Sequence, residues 1–449
     1  MRKKDNTRRK NIRRAASVIL AVLFSLLTLS SCAGSPWNTN DIYIPRTEPE
    51  TTIEAETVSV VITSPVTMPD IDTVLVDETT AAVTTKRPTT DPPETEPEED
   101  PVRLSFVGMG DNIIYGCTYR QAEKSDGGYD FLPKYKRVSK MIADADIAFV
   151  NQETPMSGKK YGYSSYPQFN TPDQMGYDLV TLGFDVISFA NNHMADMGYN
   201  SSSCVSDMID FTDKLDAFVV GLYRSYDDFE NIRVYEKDGV KIAFLAYTYG
   251  TNLYKKQTEP KNITGAYLPV YDEETITRQV TAAKLISDLV IVSVHWGTED
   301  SHKVNDEQRQ YAQLMADLGV DVILGHHPHV IQSVEWIESE NGYKTLCYYS
   351  LGNGLNAQDY LKNMVGITAS FDIVKDKDGT RIENPSCIPT FNIMTPGYKN
   401  ISLIPLNELT DDIAREHHCN NTDQKVTVEK AYGIVKNNIS AEFLPDYLK

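Results

Sequence analysis

The chain has 449 residues, a formal net charge of −20 and 41% hydrophobic residues. That length holds one large domain or two ordinary ones, and the acidic balance excludes a protein that grips nucleic acid through a broad basic surface. Six cysteines without a C-x-x-C pair argue against a disulfide scaffold and against a zinc–thiolate site.

Residues 1–32 read as an export leader rather than as part of a fold. Basic residues from Arg2 to Arg14 precede the apolar run Ala15–Leu29, which is short of the roughly 20 residues a membrane-spanning helix needs. The run ends Leu29-Ser30-Ser31-Cys32 and resembles a bacterial lipobox, in which cleavage precedes a cysteine that receives lipid. Cys32 is therefore the expected lipidation site, with an uncleaved anchor as the alternative. Either way the remainder is expected outside the cytoplasmic membrane, lipid-anchored to the bacterial cell surface in the first case. Residues 33–101 carry 15 acidic against 3 basic side chains among many Thr and Pro residues. Such a segment cannot bury enough apolar surface to offset its chain entropy, and prolines with like charges keep it extended. It reads as a disordered tether. The residues that follow still carry a net charge of −15, so a polyanion approaches them only through cations or a basic groove, for which Lys159-Lys160 and Lys255-Lys256 are the candidates.

From Val102 the pattern alternates short apolar runs with amphipathic stretches. Strands are expected at Leu104–Met109, Ile147–Asn151, Val186–Ala190, Ala217–Val220, Val240–Tyr247, Leu289–His295, Val322–Gly325, Thr345–Ser350 and Ile367–Val374. Helices are expected near Tyr135–Ala143, Asp173–Leu182, Ser203–Lys214, Glu273–Ser287 and Glu307–Leu318. Strand–helix–strand alternation predicts an α/β domain over 102–405 with parallel pairing. The last two strands lack a helix between them and predict an antiparallel second sheet. Residues 406–449 read as a polar extension without a place in that scheme, and His417-His418 within it as surface residues.

Five of the strands end in polar groups. Gly110-Asp111 and Glu153-Thr154 deliver carboxylates, Asn191-Asn192-His193 an amide and an imidazole, His295 another imidazole, and His326-His327-Pro328-His329 three more. In open α/β sheets, sites lie beyond the carboxyl ends of the strands. If Pro328 holds its neighbours extended, His327 and His329 point the same way and His326 points away from them. Mixed carboxylate, amide and imidazole donors suit one or two divalent ions such as Mn, Zn or Fe. Two ions sharing a carboxylate clamp the attacking and leaving oxygens of a hydrolysed phosphoester. Glu299 and His302 lie near in sequence; Glu299 reads equally as a solvated loop residue, and His302 reads first as one.

The ordered set Gly110-Asp111, Asn151-Gln-Glu153, Asn191-Asn-His193-Met-Ala-Asp196, His295-Trp-Gly-Thr-Glu299 and Gly325-His-His-Pro-His329, closed by Ser350-Leu-Gly-Asn353, resembles the CapA family of capsule and poly-γ-glutamate synthesis proteins. That family is a branch of the calcineurin-like metallophosphoesterases. The resemblance covers about residues 102–355 and implies a four-layer α/β/β/α sandwich with a metal rim. It implies Asp111, Glu153, Asn192, His295, His327 and His329 as ligands, His193 as the proton donor to a leaving group and Asp196 as its orienting partner. Glu299, His326 and Asn353 stand as supporting residues. Two departures are visible: the usual Asp-x-His is here Asp111-Asn-Ile113, and Glu153 stands where the superfamily has a bridging aspartate.

Three functions follow as expectations. The first is a surface-anchored, metal-dependent hydrolase, phosphoesterase-like, in capsule or poly-γ-glutamate biosynthesis or export. The second is a non-catalytic accessory subunit that holds an anionic envelope polymer through the same ions beside its membrane synthase. The third is a solute-binding lipoprotein, which leaves the strand-end histidines unexplained.

Overall fold

In the computed structural model the described residues are 100–199, 201–253, 266–422 and 424–449. The leader, Cys32, nearly all of the tether and Lys255-Lys256 lie outside them. Among the described residues, no helix is long and apolar enough to cross a membrane.

Buried apolar runs build two sheets. One orders its strands β13-β12-β11-β1-β2-β3-β4. Its first four in chain order are β1 (Val102–Asn112), β2 (Ile147–Gln152), β3 (Val186–Ser188) and β4 (Phe218–Val220), all parallel. The others are β11 (Val365–Asp376), β12 (Gly379–Thr395) and β13 (Lys399–Pro405), which extend the sheet antiparallel from β1. The second sheet runs β5-β6-β7-β8-β10-β9. It comprises β5 (Val234–Lys237), β6 (Val240–Thr248), β7 (Leu289–His295), β8 (Val322–His326), β9 (Val334–Glu338) and β10 (Lys344–Tyr348). Here β6, β7, β8 and β10 are parallel, with antiparallel β5 and β9 at the edges.

The burial of β7 shows the layering. All seven residues are buried, as expected of a parallel strand covered on both faces. Leu289 and Ile291 turn inward to a core shared with Leu104, Phe106 and Phe149 of the facing sheet. Val290, Val292 and Val294 turn outward, onto Ile276, Val280, Ala312 and Met315. Those four belong to the helices Glu273–Lys284 and Asp306–Asp317, which begin at side-chain caps from Asp272 and Asn305. Gln174–Leu182 and Cys204–Thr212 cover the other sheet through Met175, Leu179, Val205 and Met208. The α/β/β/α sandwich follows.

The expected antiparallel pair of late strands is corrected. β10 and β11 do not pair: β10 lies parallel to β8, and β11 antiparallel to β1 in the other sheet. Between them, residues 349–364 cross from one sheet to the other over the site, a connection that apolar periodicity does not reveal. The segment after 405 also finds a place. Val426, Ala431, Val435, Phe443 and Leu448 join the inner core, and the unit that begins at Glu98 runs to Lys449. His417 and His418 are buried, against the surface expectation. The His417 ring is satisfied by the Asn392 carbonyl at 2.9 Å and by the Cys419 amide at 3.2 Å. Cys117, Cys204, Cys347, Cys387 and Cys419 are unpaired, so no disulfide occurs among the described residues.

Two glycines let the crossing segment approach. A Cβ at Gly110 would lie 2.0 Å from the Gly352 carbonyl oxygen, and one at Gly325 2.0 Å from that of Tyr349. The Asp111 amide then donates to Gly352 O at 2.9 Å, and the Leu351 amide to Gly325 O at 3.0 Å. Gly325→Ala is expected to lower stability by more than about 2 kcal/mol, because neither backbone can yield. Gly433→Ala is the control. Its Cβ meets nothing, so it should stabilise its helix by about 0.5–1 kcal/mol. Denaturant midpoints measure both.

Candidate metal centre

Asp111 leaves the end of β1 beneath the crossing segment. Its Oδ1 accepts from the Asn151 amide at 2.8 Å, and its Oδ2 from the His327 backbone amide at 3.0 Å. His326 Nδ1 lies 3.2 Å from Oδ1, and His329 Nδ1 3.2 Å from Oδ2. Burial works against the charge, but His326 and His329 outweigh it and hold the carboxyl well below the usual range. Asp111 is thus an ionised carboxylate held from four sides.

Glu153, beyond the end of β2, is the opposite case. It is fully buried, and neither carboxylate oxygen has a hydrogen-bond partner. The surrounding nitrogens are His329 Nε2 at 3.5 Å, His295 Nε2 at 3.8 Å and His193 Nε2 at 4.0 Å from Oε1. Burial pushes its pKa well above the usual range; His329 opposes the rise, while Asp111, Glu299 and Asp196 add to it. A buried carboxylate without a partner costs several kcal/mol. Donors each about 2.1 Å from one ion stand roughly 3–3.5 Å apart, close to these spacings and too long for hydrogen bonds. A divalent cation therefore fits what this carboxylate lacks.

The remaining donors come from β7, β8 and the turn after β3. His295 Nε2 is 2.9 Å from Asn192 Oδ1 and 3.1 Å from His327 Nδ1. Burial, then His327, holds the pKa of His295 well below its usual value. His327 is lowered to about 3, again by burial and then by His329. Both are neutral imidazoles, the form that ligates. His329 differs: burial opposes its charge, but Glu153 and Asp111 raise it to about 10. Two donor sets converge, Asp111 with Glu153 and His295, and Glu299 with His327 and His329. Glu299 alone among them is exposed, at the rim.

The route by which His327 and His329 meet differs from the extended pair expected. Their φ angles are +97° and +56°, in the left-handed region that L-residues rarely adopt. Contacts hold them there. The His327 amide is bound to Asp111, His329 Nδ1 lies 3.1 Å from Asn353 Oδ1, and the Asn353 amide donates to His329 O at 3.2 Å. His326 does not turn away from the site. Its ring stacks on Phe149 at 5.8 Å, with Nδ1 against Asp111.

His193 and Asp196 stand beside Glu153. His193 Nδ1 is 2.7 Å from Asp196 Oδ2. A carboxylate only accepts, so Nδ1 carries the proton and Nε2 faces the centre. Asn252 donates to Asp196 Oδ1 at 3.3 Å, and its own backbone amide to Asn192 O at 2.8 Å. Phe169 packs its ring edge-to-face on His193 at 4.9 Å, and its amide donates to Asp196 Oδ2 at 2.8 Å. The Tyr249 ring lies 4.8 Å from that of His327.

Asn151, Asn252, Tyr249 and Phe169 do not stand out as site residues in the sequence. Asn151 carries a visible signal all the same, as it lies at the end of the apolar strand β2 within Asn151-Gln-Glu153, and Asn252 lies beyond the end of β6. Tyr249 and Phe169 give none. Glu299, by contrast, joins His327 and His329, while His302 turns its Nδ1 to the Ile331 carbonyl at 2.7 Å.

Residues 104–358 match the family model described as bacterial capsule synthesis protein PGA_cap. The chain is 31% identical over 284 residues to the PGA biosynthesis protein CapA of Bacillus subtilis (strain 168), covering 63% of this chain and 70% of that protein. It is 26% identical over 290 residues to the capsule biosynthesis protein CapA of Bacillus anthracis, spanning 62% of each. Among solved structures, a calcineurin-like phosphoesterase from Bacillus subtilis aligns with a TM-score of 0.39 and 14% identity, over 75% of this chain and 97% of that one. A hypothetical protein from Thermus thermophilus aligns with a TM-score of 0.38 and 14% identity, over 64% of this chain and 98% of that one. The matched residues run from β1 into the crossing segment and include every donor described above, and the chain belongs to the bacterial capsule synthesis protein family, PGA_cap.

Proposed function

We propose that this protein is a metal-dependent hydrolase, phosphoesterase-like, acting on an anionic polymer of the cell envelope during capsule or poly-γ-glutamate biosynthesis or export. We propose further that Cys32 anchors it by lipid, with the tether giving reach towards the polymer and its membrane synthase. The observation that carries the reading is the buried Glu153 carboxylate, which has no hydrogen-bond partner and lies among His193, His295 and His329.

Asp111, Glu153, Asn192, His295, His327 and His329 would hold one or two ions of the Mn, Zn or Fe type, with Glu299 at the rim. Such an ion supplies Lewis-acid polarisation and an activated water. Asp111 fixes the turn that carries His327 and His329. Asp196, itself held by Asn252, keeps the His193 proton on Nδ1, so that Nε2, once protonated, donates to a leaving oxygen. The 349–364 crossing and Phe169 restrict solvent around the donors.

His193→Ala is expected to keep the bound metal and to lose about 10²–10⁴ in turnover of a chromogenic phosphoester such as bis-p-nitrophenyl phosphate. Elemental analysis beside initial rates measures both. Metal loss in this variant would make His193 a ligand rather than a proton donor. The accessory-subunit reading is favoured by one observation: where the resemblance places a histidine, Ile113 is buried and its amide donates to Leu355 O. Metal-replete wild-type protein without turnover would establish that reading.

A further inference from the structure

The described residues contain nine arginines. Eight are paired with carboxylates: Arg103 with Asp372, Arg137 with Glu408, Arg224 with Asp213, Arg233 with Asp228, Arg278 with Glu230, Arg309 with Glu335, Arg381 with Asp376 and Arg415 with Asp412. Arg120 has no carboxylate partner among the described residues. In a chain of net charge −20, a guanidinium left without one stands out, because acidic side chains are plentiful everywhere.

A chain of contacts links its position to the centre. Arg120 lies one helical turn beyond Gly116, on the chain that leaves Asp111. A Cβ on Gly116 would lie 2.9 Å from Arg120 Nη1 and 3.1 Å from Ser165 Cβ, so the guanidinium rests on a glycine against the 164–169 loop. The Gly116 amide donates to Ser165 Oγ at 2.9 Å and fixes that approach. The neighbouring Tyr115 ring packs on Phe169 at 5.3 Å, and Phe169 packs on His193 at 4.9 Å. Arg120 Cζ sits 5.7 Å from the Tyr119 ring centroid, and Arg120 is exposed to solvent. Tyr166, in the same loop, is 64% exposed with its ring 6.3 Å from Phe169. Lys160, nearby in the chain, is committed to Asp207 at 2.7 Å.

We infer that Arg120 is the oxyanion-binding residue of a second subsite, which takes the charged group of the polymer unit next to the one at the metal centre. A guanidinium fork matches the two oxygens of a carboxylate or a phosphate. Arg120 thereby offers an otherwise repulsive domain a local cation for an anionic chain. This rests on the anionic-polymer reading above but not on catalysis.

The test is binding of two probes to the metal-loaded full chain by calorimetry at low salt: a glutamate pentapeptide for the carboxylate source and inorganic phosphate for the other. Arg120→Ala is expected to weaken at least one probe by about tenfold or more, and Arg120→Lys to restore only part of it. Metal content should stay unchanged in both. The probe affected tells carboxylate from phosphate. Equal binding by wild type and Arg120→Ala, or no binding of either probe to the wild type, overturns the proposal. Failure of the hydrolase reading would show instead in turnover by the wild type, which this measurement does not use.

Discussion

Asp111→Asn is expected to empty the metal centre. The substitution removes the ionised carboxylate, and it also inverts a hydrogen bond. Oδ1 faces the Asn151 amide and Oδ2 the His327 backbone amide. Both neighbours donate, so whichever way the new side chain turns, its NH2 meets a donor. The left-handed backbone at His327 and His329 then loses the contact that holds it. Metal affinity should fall by more than about 100-fold, beyond the 10–100-fold of a supporting residue. Stability of the metal-free protein should fall by about 2–4 kcal/mol. Elemental analysis after gel filtration and urea melts in chelator read the two effects. Normal metal content in Asp111→Asn would remove the centre from this end of the sheets.

Glu153→Gln should do the reverse to stability. Its carboxyl is pushed well above the usual range, first by burial. A group whose folded pKa is raised contributes stability below its unfolded pKa and loses it as pH rises through the folded value. The metal-free wild type should therefore weaken above about pH 4.5 relative to Glu153→Gln, by at most about 1.4 kcal/mol per pH unit. His329 loses its first charge partner in the variant and drops from about 10, which offsets part of the gain. With metal the order inverts, because the wild type gains binding energy that the variant lacks. Melts at several pH values, with chelator and with Mn or Zn, give the comparison. A difference that is flat with pH, or a variant that keeps its metal, would contradict the account of Glu153 as a carboxylate awaiting a cation.

These two neighbouring acids also show how one fold separates carboxylates. Asp111 has hydrogen-bond partners within the protein and stays charged; Glu153 has no hydrogen-bond partner and resists charge, although His329 opposes that resistance. An ion at the centre reverses that resistance, so binding should release protons and strengthen as pH rises.

The strands that carry the donors were legible in the sequence. β7 and β8 are runs of Val, Ile and Leu, and burial on both faces of a parallel strand writes itself as an unbroken apolar run. The polar residues that end β1, β7 and β8, and those just beyond β2 and β3, stand out against such runs for the same reason. The strand-end carboxylates, amides and imidazoles could thus be seen, the resemblance to the CapA family singled out Asp111, Glu153, Asn192, His295, His327 and His329 among them, and the helices Glu273–Lys284 and Asp306–Asp317 lie within a few residues of their expected bounds. What only the tertiary structure decided depends on contacts between residues far apart in sequence. The left-handed turn at His327 and His329 is imposed by Asp111 and Asn353, against the local bias of Pro328. Likewise His326 turns to Asp111 because Phe149 stacks on its ring. β10 and β11 part into different sheets because Gly110 and Gly325 admit a backbone that crosses between them. His417 becomes a core residue only because the Asn392 carbonyl of β12 is there to satisfy it. Local propensity fixes which residues can form a strand; only the packed neighbours fix where a side chain at the strand's end points.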